Sequence, residues 1–417
     1  MNTIHIIFFI FAFLSSYTFH TISSATDFCV ADLSLPKTPS GSYPCKPEAN
    51  VTVDDFVFSG LVEGKPVAPF NSGLTSATVA NLPGLNGLGI AAARVDVGVN
   101  GTVPIHSHPD ASELIILVEG ELTVGFITPA KAYVKTVKPA DVIVIPKGLL
   151  HFVINSGKEK AVTFGALSSS SPGVHVADFL LFGNDLPTSV IAQTTLLDVA
   201  QIEKLKAAFG GSVVFAFLLS YTFHAVSSAT DFCVADLSLS KNTLGYYPCK
   251  DETKVTVNDF VFSGLVEGKP VAPFNVGVTA ATVANLPGLN GLDIAAARVD
   301  IGVNGTVPIH SHPDASELLI IFEGELTVGF ITPTKAYLKT VKPADVIVIP
   351  KGLLHFVINS GKGKAVTFGA LSSSSPGVHV ADLLLFGNDL STSIVAQTTL
   401  LDEAQIKKLK VVFGGKN

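Results

Sequence analysis

Residues 101–121, GTVPIHSHPDASELIILVEGE, decide how the rest of the chain is read. His106 and His108 are two apart, so in an extended strand both imidazoles project from one face. Pro109 ends that strand without needing an amide donor. Glu113 opens the apolar run 114–118, where its carboxylate can reach the same point. A fourth candidate stands in PKGLLHFVIN, residues 146–155, where Pro146 and Gly148 form a turn signal and His151 enters another strand-like run. Three neutral imidazoles and one carboxylate suit a divalent transition metal, and an octahedral ion so held keeps room for water or substrate. A lone His-x-His pair is more often an ordinary surface or core pair. The glutamate five residues on and the histidine inside P-x-G-x-x-H-x-x-x-N set this one apart. The set recurs as His310, His312, Glu317 and His355, each 204 residues further along.

That repeat organises the whole chain. With 417 residues and a unit of about 200, two globular domains are expected, each able to bury a core. The repeat starts before the mature domain: FAFLSSYTFHTISSATDFCVADL at 11–33 returns as FAFLLSYTFHAVSSATDFCVADL at 215–237. The first copy, with its apolar IIFFIFAFL and the small-residue pattern Ser23-Ser24-Ala25, reads as a secretory signal peptide over 1–25. Its apolar core is too short for a bilayer, which needs about 20 residues. The division expected is a domain at 26–211, an apolar joint at 212–229 with its own Ser227-Ser228-Ala229, and a second domain at 230–417. The joint reads as an ordered linker, a second processing site or the scar of two fused neighbouring genes.

Charged residues are 15% and hydrophobic ones 47%, which suits compact β domains. A net charge of -7 and the lack of any basic run argue against a nucleic-acid surface. Each copy carries one cysteine pair in a chain read as exported, so Cys29–Cys45 and Cys233–Cys249 disulfides are expected, with four free thiols as the alternative. Residues 51–58, 90–97, 114–118, 122–127, 133–137, 142–145, 152–154 and 161–167 read as strands separated by Gly, Pro and Asn. They predict an all-β antiparallel sandwich or jelly-roll barrel with the ligand strands facing inward. Phe152, Ile116 and Val144 are the expected walls. Helical turns are predicted at 189–193 and from Asp198, where Gln201 completes a cap. Asn50, Asn100 and Asn304 head N-glycosylation sequons, with Asn50 the one expected to be used. No dinucleotide fingerprint, phosphate loop or nucleophile elbow occurs.

At His106, His108, Pro109, Glu113 and Gly120, and again at Pro146, Gly148, His151 and Asn155, the chain resembles the germin and germin-like branch of the cupins, in wording closest to members named as auxin-binding. Two positions where that family usually has glycine hold Asn100 and Ala140. The resemblance implies two jelly-roll barrels, each followed by short C-terminal helices that clasp neighbouring subunits into a homo-oligomer, a hexamer of germin units. The alternative is a helix folded back on its own barrel. It implies Mn(2+) as cofactor, an extracellular, apoplast or cell-wall location, and no membrane span. It also places Asn86, Asn155, Asn290 and Asn359 at the pocket.

Superoxide dismutation is the activity the resemblance implies first, with superoxide or another small anion as partner. A non-enzymatic auxin-binding or structural wall glycoprotein is the alternative, so whether the chain is an enzyme stays open. Oxalate oxidation is demoted, because Ala93 and Ala297 stand where oxalate-oxidising members carry a second asparagine before the arginine. If the joint is processed or marks a gene fusion, protein from its native source should migrate at about half the full mass on a denaturing gel. One intact 43.5 kDa species would count against both.

Overall fold

The computed structural model describes residues 28–38, 42–209, 232–242 and 246–416. The leader-like segment 1–25 and the joint 212–229 lie outside them. The first copy runs β1 (Val57–Phe58), β2 (Ser72–Ala77), β3 (Ala91–Val97), β4 (Thr102–Ser107), β5 (Glu113–Glu119), β6 (Leu122–Ile127), β7 (Ala132–Val137), β8 (Val142–Ile145), β9 (Leu150–Asn155), β10 (Ala161–Leu167) and β11 (His175–Val176). Helices α1 (Ala177–Phe182), α2 (Thr188–Thr195) and α3 (Val199–Phe209) follow. The second copy repeats the order from β12 (Val261–Phe262), β13 (Val276–Ala281), β14 (Ala295–Ile301), β15 (Thr306–Ser311) and β16 (Glu317–Glu323) to β17 (Leu326–Ile331), β18 (Ala336–Val341), β19 (Val346–Ile349), β20 (Leu354–Asn359), β21 (Ala365–Leu371) and β22 (His379–Val380). It ends in α4 (Ala381–Phe386), α5 (Thr392–Thr399) and α6 (Glu403–Phe413).

In the first domain the antiparallel orders are β12-β8-β5-β10-β3-β2 and β11-β4-β9-β6-β7, and the second domain mirrors them. One strand in each larger sheet belongs to the other copy. Val57 and Phe58 pair with Ile347 and Val346, and Val261 and Phe262 pair with Ile143 and Val142. The exchange continues through Leu61 N–H donating to the Ala344 carbonyl and Leu265 N–H donating to that of Ala140, both at 3.1 Å. Phe56 packs edge-on between Phe330 and Tyr337, at 4.9 and 5.4 Å, and Phe260 packs the same way between Phe126 and Tyr133.

This docking explains β5, ELIILVE, which is buried along its first five residues without alternation. One face of its sheet lines the hollow between the two sheets of its own domain, the cup, and the other meets the second domain, so apolar side chains are favoured on both. Strand β7, AYVKTV, alternates exposed and buried because only one of its faces is covered.

Four expectations change. Residues 51–58 are mostly not strand: Val53–Phe56 is a 3-10 turn, because the buried Asp55 carboxylate accepts from Thr52 N–H at 2.8 Å and from Lys46 Nζ at 2.8 Å. Strand β2 and helix α1 were not predicted. Ile116 and Val144 face the other domain, since inward Glu113 forces odd positions of β5 into the cup and even ones out. Phe152 lies outside the cup for the same reason, with His151 and Val153 buried on either side of it.

Asn100 and Ala140 keep the left-handed backbone that glycine would give, at φ 58° and 78°. Asparagine adopts it readily and alanine at a modest cost. Cys29–Cys45 and Cys233–Cys249 are both disulfide-bonded. In the first copy α1 to α3 share a small core of Phe179, Phe182, Ile191, Ile202 and Phe209, and Phe70 of the barrel stacks on Phe209. The helices therefore rest on their own domain while leaving Leu196 and Leu400 91% exposed. No helix among the described residues is long and apolar enough to cross a membrane.

Phe56→Ala should lower unfolding stability by about 3–5 kcal/mol, read by denaturant titration, because it empties a fully buried aromatic site between the domains. A loss under about 1 kcal/mol would mean that the two domains do not pack as described.

Candidate metal centre

Strand register builds the centre. His106 on β4 lies directly opposite His151 on β9, past an irregularity between Val103 and His106 where Pro104 has no amide to pair. His108 follows the end of β4, and Glu113 is the first residue of β5. The four side chains bring one donor atom each to within 4.8 Å of one another, as do His310, His312, Glu317 and His355. His151 Nε2 is 3.0 Å and His108 Nε2 3.4 Å from Glu113 Oε2, and the second copy gives 3.0 and 3.7 Å.

The outer nitrogens fix the inner ones. Each Nδ1–H donates to a backbone carbonyl: His106 to Pro104 at 2.8 Å, His108 to Gly173 at 2.6 Å and His151 to Leu149 at 2.9 Å. A carbonyl can only accept, so the proton of the neutral ring sits on Nδ1 and the Nε2 lone pair points inward. The centre thus holds three nitrogen lone pairs and a carboxylate, all acceptors. A shared proton or a cation is what reconciles them, and the donor set fits a divalent metal. Gly165 makes room: a Cβ there would come within 2.9 Å of Glu113 Oε1.

Electrostatics divides the ligands. Burial, reinforced by His151 and His108, holds His106 well below 6.5, and the same causes bring His310 down to about 4. Both rings are ready to ligate across the physiological range. Burial also opposes charge on His108, but the Glu113 carboxylate outweighs it and raises His108 above 6.5. Burial would raise the two carboxyls, yet the histidines outweigh it, depressing Glu113 strongly and Glu317 to about 2.

A cavity of about 420 Å³ opens over the first centre, with His106, His108 and Glu113 in its wall and aliphatic side chains such as Val95, Ile115 and Val153 around them. Asn86 and Asn155 are not among the residues lining this cavity, and all four expected pocket asparagines bond backbone groups. Asn86 Nδ2 donates to the Tyr43 carbonyl and its Oδ1 accepts from Tyr43 N–H, so it pins the cysteine loop, as Asn290 does with Tyr247. Asn155 donates to the carbonyls of Val97, Gly98 and Glu159, and Asn359 does the same in the second copy. They brace loops near the strands that carry the ligands. The carbonyls of Pro104, Gly173 and Leu149, Gly165, and the cavity-facing side of β2 had no readable mark in the sequence.

The cupin family model matches residues 61–203 and 265–407. The chain is 51% identical over 203 residues to the auxin-binding protein ABP19b of Prunus persica, covering 48% of this chain and 96% of that one. It is 46% identical over 208 residues to a germin-like protein of Morus alba, covering 49% and 98%. Among solved structures, a deletion mutant of Bacillus subtilis oxalate decarboxylase superposes with a TM-score of 0.66 at 17% identity, over 87% of this chain and 88% of that one; this is a likeness of fold alone. The chain belongs to the cupin family, as a germin-like member in two tandem copies.

Proton and metal compete for His108 Nε2. Against the burial that opposes it, the Glu113 carboxylate raises this ring's value, so the first centre should begin losing metal at a higher pH than an unperturbed histidine, with its reference value of about 6.5, would allow. Metal titration near pH 6.5 should release protons at that centre, read by calorimetry in buffers of different ionisation enthalpy. Binding independent of pH from 6 to 8 would contradict it.

Proposed function

We propose that this is a secreted manganese-binding germin-like protein of the plant extracellular matrix whose centres dismutate superoxide. The observation that carries the reading is the convergence of three Nε2 lone pairs and one buried carboxylate within 4.8 Å, twice in one chain. When bound, manganese supplies a one-electron couple able to take an electron from one superoxide and give it to another. The chain's own residues do the rest. Carbonyl-anchored imidazoles keep the ligand geometry fixed, Glu113 lowers the charge of the site, and the cavity admits a small anion.

Oxalate is a poor fit. Ala93 lines the cavity without a donor, and Arg94 is engaged bidentately by Asp96 at 2.9 and 3.0 Å, so neither pairs a second carboxylate. A second reading, auxin or a related organic acid bound without turnover, draws on the size and aliphatic walls of the cavity and on the name of the Prunus relative.

Secretion is supported by the leader-like segment 1–25, the two disulfides and the exposed sequon residues Asn50, Asn100 and Asn304. We take 26–211 and 230–417 as the domains, with 212–229 as the joint. Further assembly, six germin units from three chains, is supported by the exposed Leu196, Leu400 and Val411 on the terminal helices.

Secreted chain should carry close to two manganese ions. Combining His106→Ala and His151→Ala with His310→Ala and His355→Ala should reduce metal content and superoxide turnover at least about 100-fold. Turnover surviving all four substitutions would end the enzymatic reading. Saturable, metal-dependent indole-acetate binding without superoxide turnover would establish the second.

A further inference from the structure

The residues around the two centres differ mainly along one strand. Every residue lining the first cavity has an identical counterpart 204 positions on, except that Ser72, Leu74, Ser76 and Ile115 become Val276, Val278, Ala280 and Leu319. Three of the four changes fall at alternate positions of β2, on the face that lines the cavity. Two hydroxyls in the first domain are replaced by a wholly aliphatic row in the second.

Register places this row relative to the metal ligands. Ser76 pairs with Ala93, Ala93 with Gly165 and Gly165 with Ile115. Gly165 is the residue against which the Glu113 carboxylate lies. Ser76 is therefore two strand spacings, about 10 Å, from that point, the reach of an aryl carboxylate laid along the sheet. The Ser72 hydroxyl already donates to the Thr102 carbonyl at 2.9 Å. The Ser76 hydroxyl has no hydrogen-bond partner among the described residues. A half-buried hydroxyl without a protein partner favours a ligand that supplies one, and Ala280 offers a polar ligand end no such partner at that position.

We propose that Ser76 sets ligand specificity: the first cavity takes an elongated aromatic carboxylate with a hydrogen-bonding group at its far end, and the second, with Ala280, takes the apolar analogue. This rests on the second reading above, an organic acid bound without turnover, with a metal at the four ligands taking its carboxylate.

The test uses the full chain, manganese-loaded, with 4-hydroxyphenylacetate and its isostere 4-methylphenylacetate titrated by calorimetry. His310→Ala with His355→Ala isolates the first centre, and His106→Ala with His151→Ala isolates the second. The first should prefer the hydroxyl compound about fivefold and the second the methyl compound by a similar factor. Ser76→Ala should erase the first preference and Ala280→Ser reverse the second, and both substitutions are also read in the otherwise unaltered chain. Equal ratios at the two centres, no effect of Ser76→Ala, or no binding to metal-loaded chain would overturn the assignment. Metal content separates the failures: full loading with an unchanged ratio sinks only Ser76, whereas no metal uptake sinks the metal reading with it.

Discussion

Everything at each centre depends on three hydrogen bonds that never touch the ion's position. Backbone carbonyls two residues before His106 and His151, and that of Gly173 for His108, take the Nδ1 protons and leave inward lone pairs. The barrel supplies these acceptors at fixed places, so ligand geometry is a property of the backbone. Side-chain rotamer freedom has little part in it. The same bonds recur in the second copy at 2.9, 2.6 and 2.8 Å, although the flanking strand β13 differs from β2.

The ligands were legible because their spacing is short: His106, His108 and Glu113 lie within one strand-turn-strand, and His151 follows a proline-glycine turn. Pattern alone fixes such local geometry. The cup walls were misread because both faces of β5 are buried, so hydrophobicity gives no phase there. Only the inward Glu113 sets it, putting Ile115 in the cavity and Ile116 against the other domain. Strand β2, SGLTSA, was invisible for a related reason. Its small polar residues carry little strand preference, and it is held by pairing with β3. Residues 51–58 read as strand, yet Asp55 turns them through a side-chain bond that periodicity cannot foresee.

Asn86 and Asn155 show the limit of transferring a role by position. Both are buried, as pocket residues would be, but their amides are spent on backbone groups of neighbouring loops. A buried amide in a β-rich domain has this bracing work available wherever a loop leaves carbonyls unpaired. The positive φ of Ala140 makes a parallel point, since its carbonyl accepts from Leu265 in the other domain and so helps fix a conformation that alanine alone disfavours.

The exchange of β1 and β12 bears on how the halves could ever come apart. Each donated segment covers what would otherwise be a bare sheet margin at β19 or β8, the kind of surface that invites aggregation. A protease acting on the joint would sever one covalent connection but leave both donated segments and both aromatic clusters in place. Nicked and unbroken molecules would then share one outline in solution and differ only after denaturation.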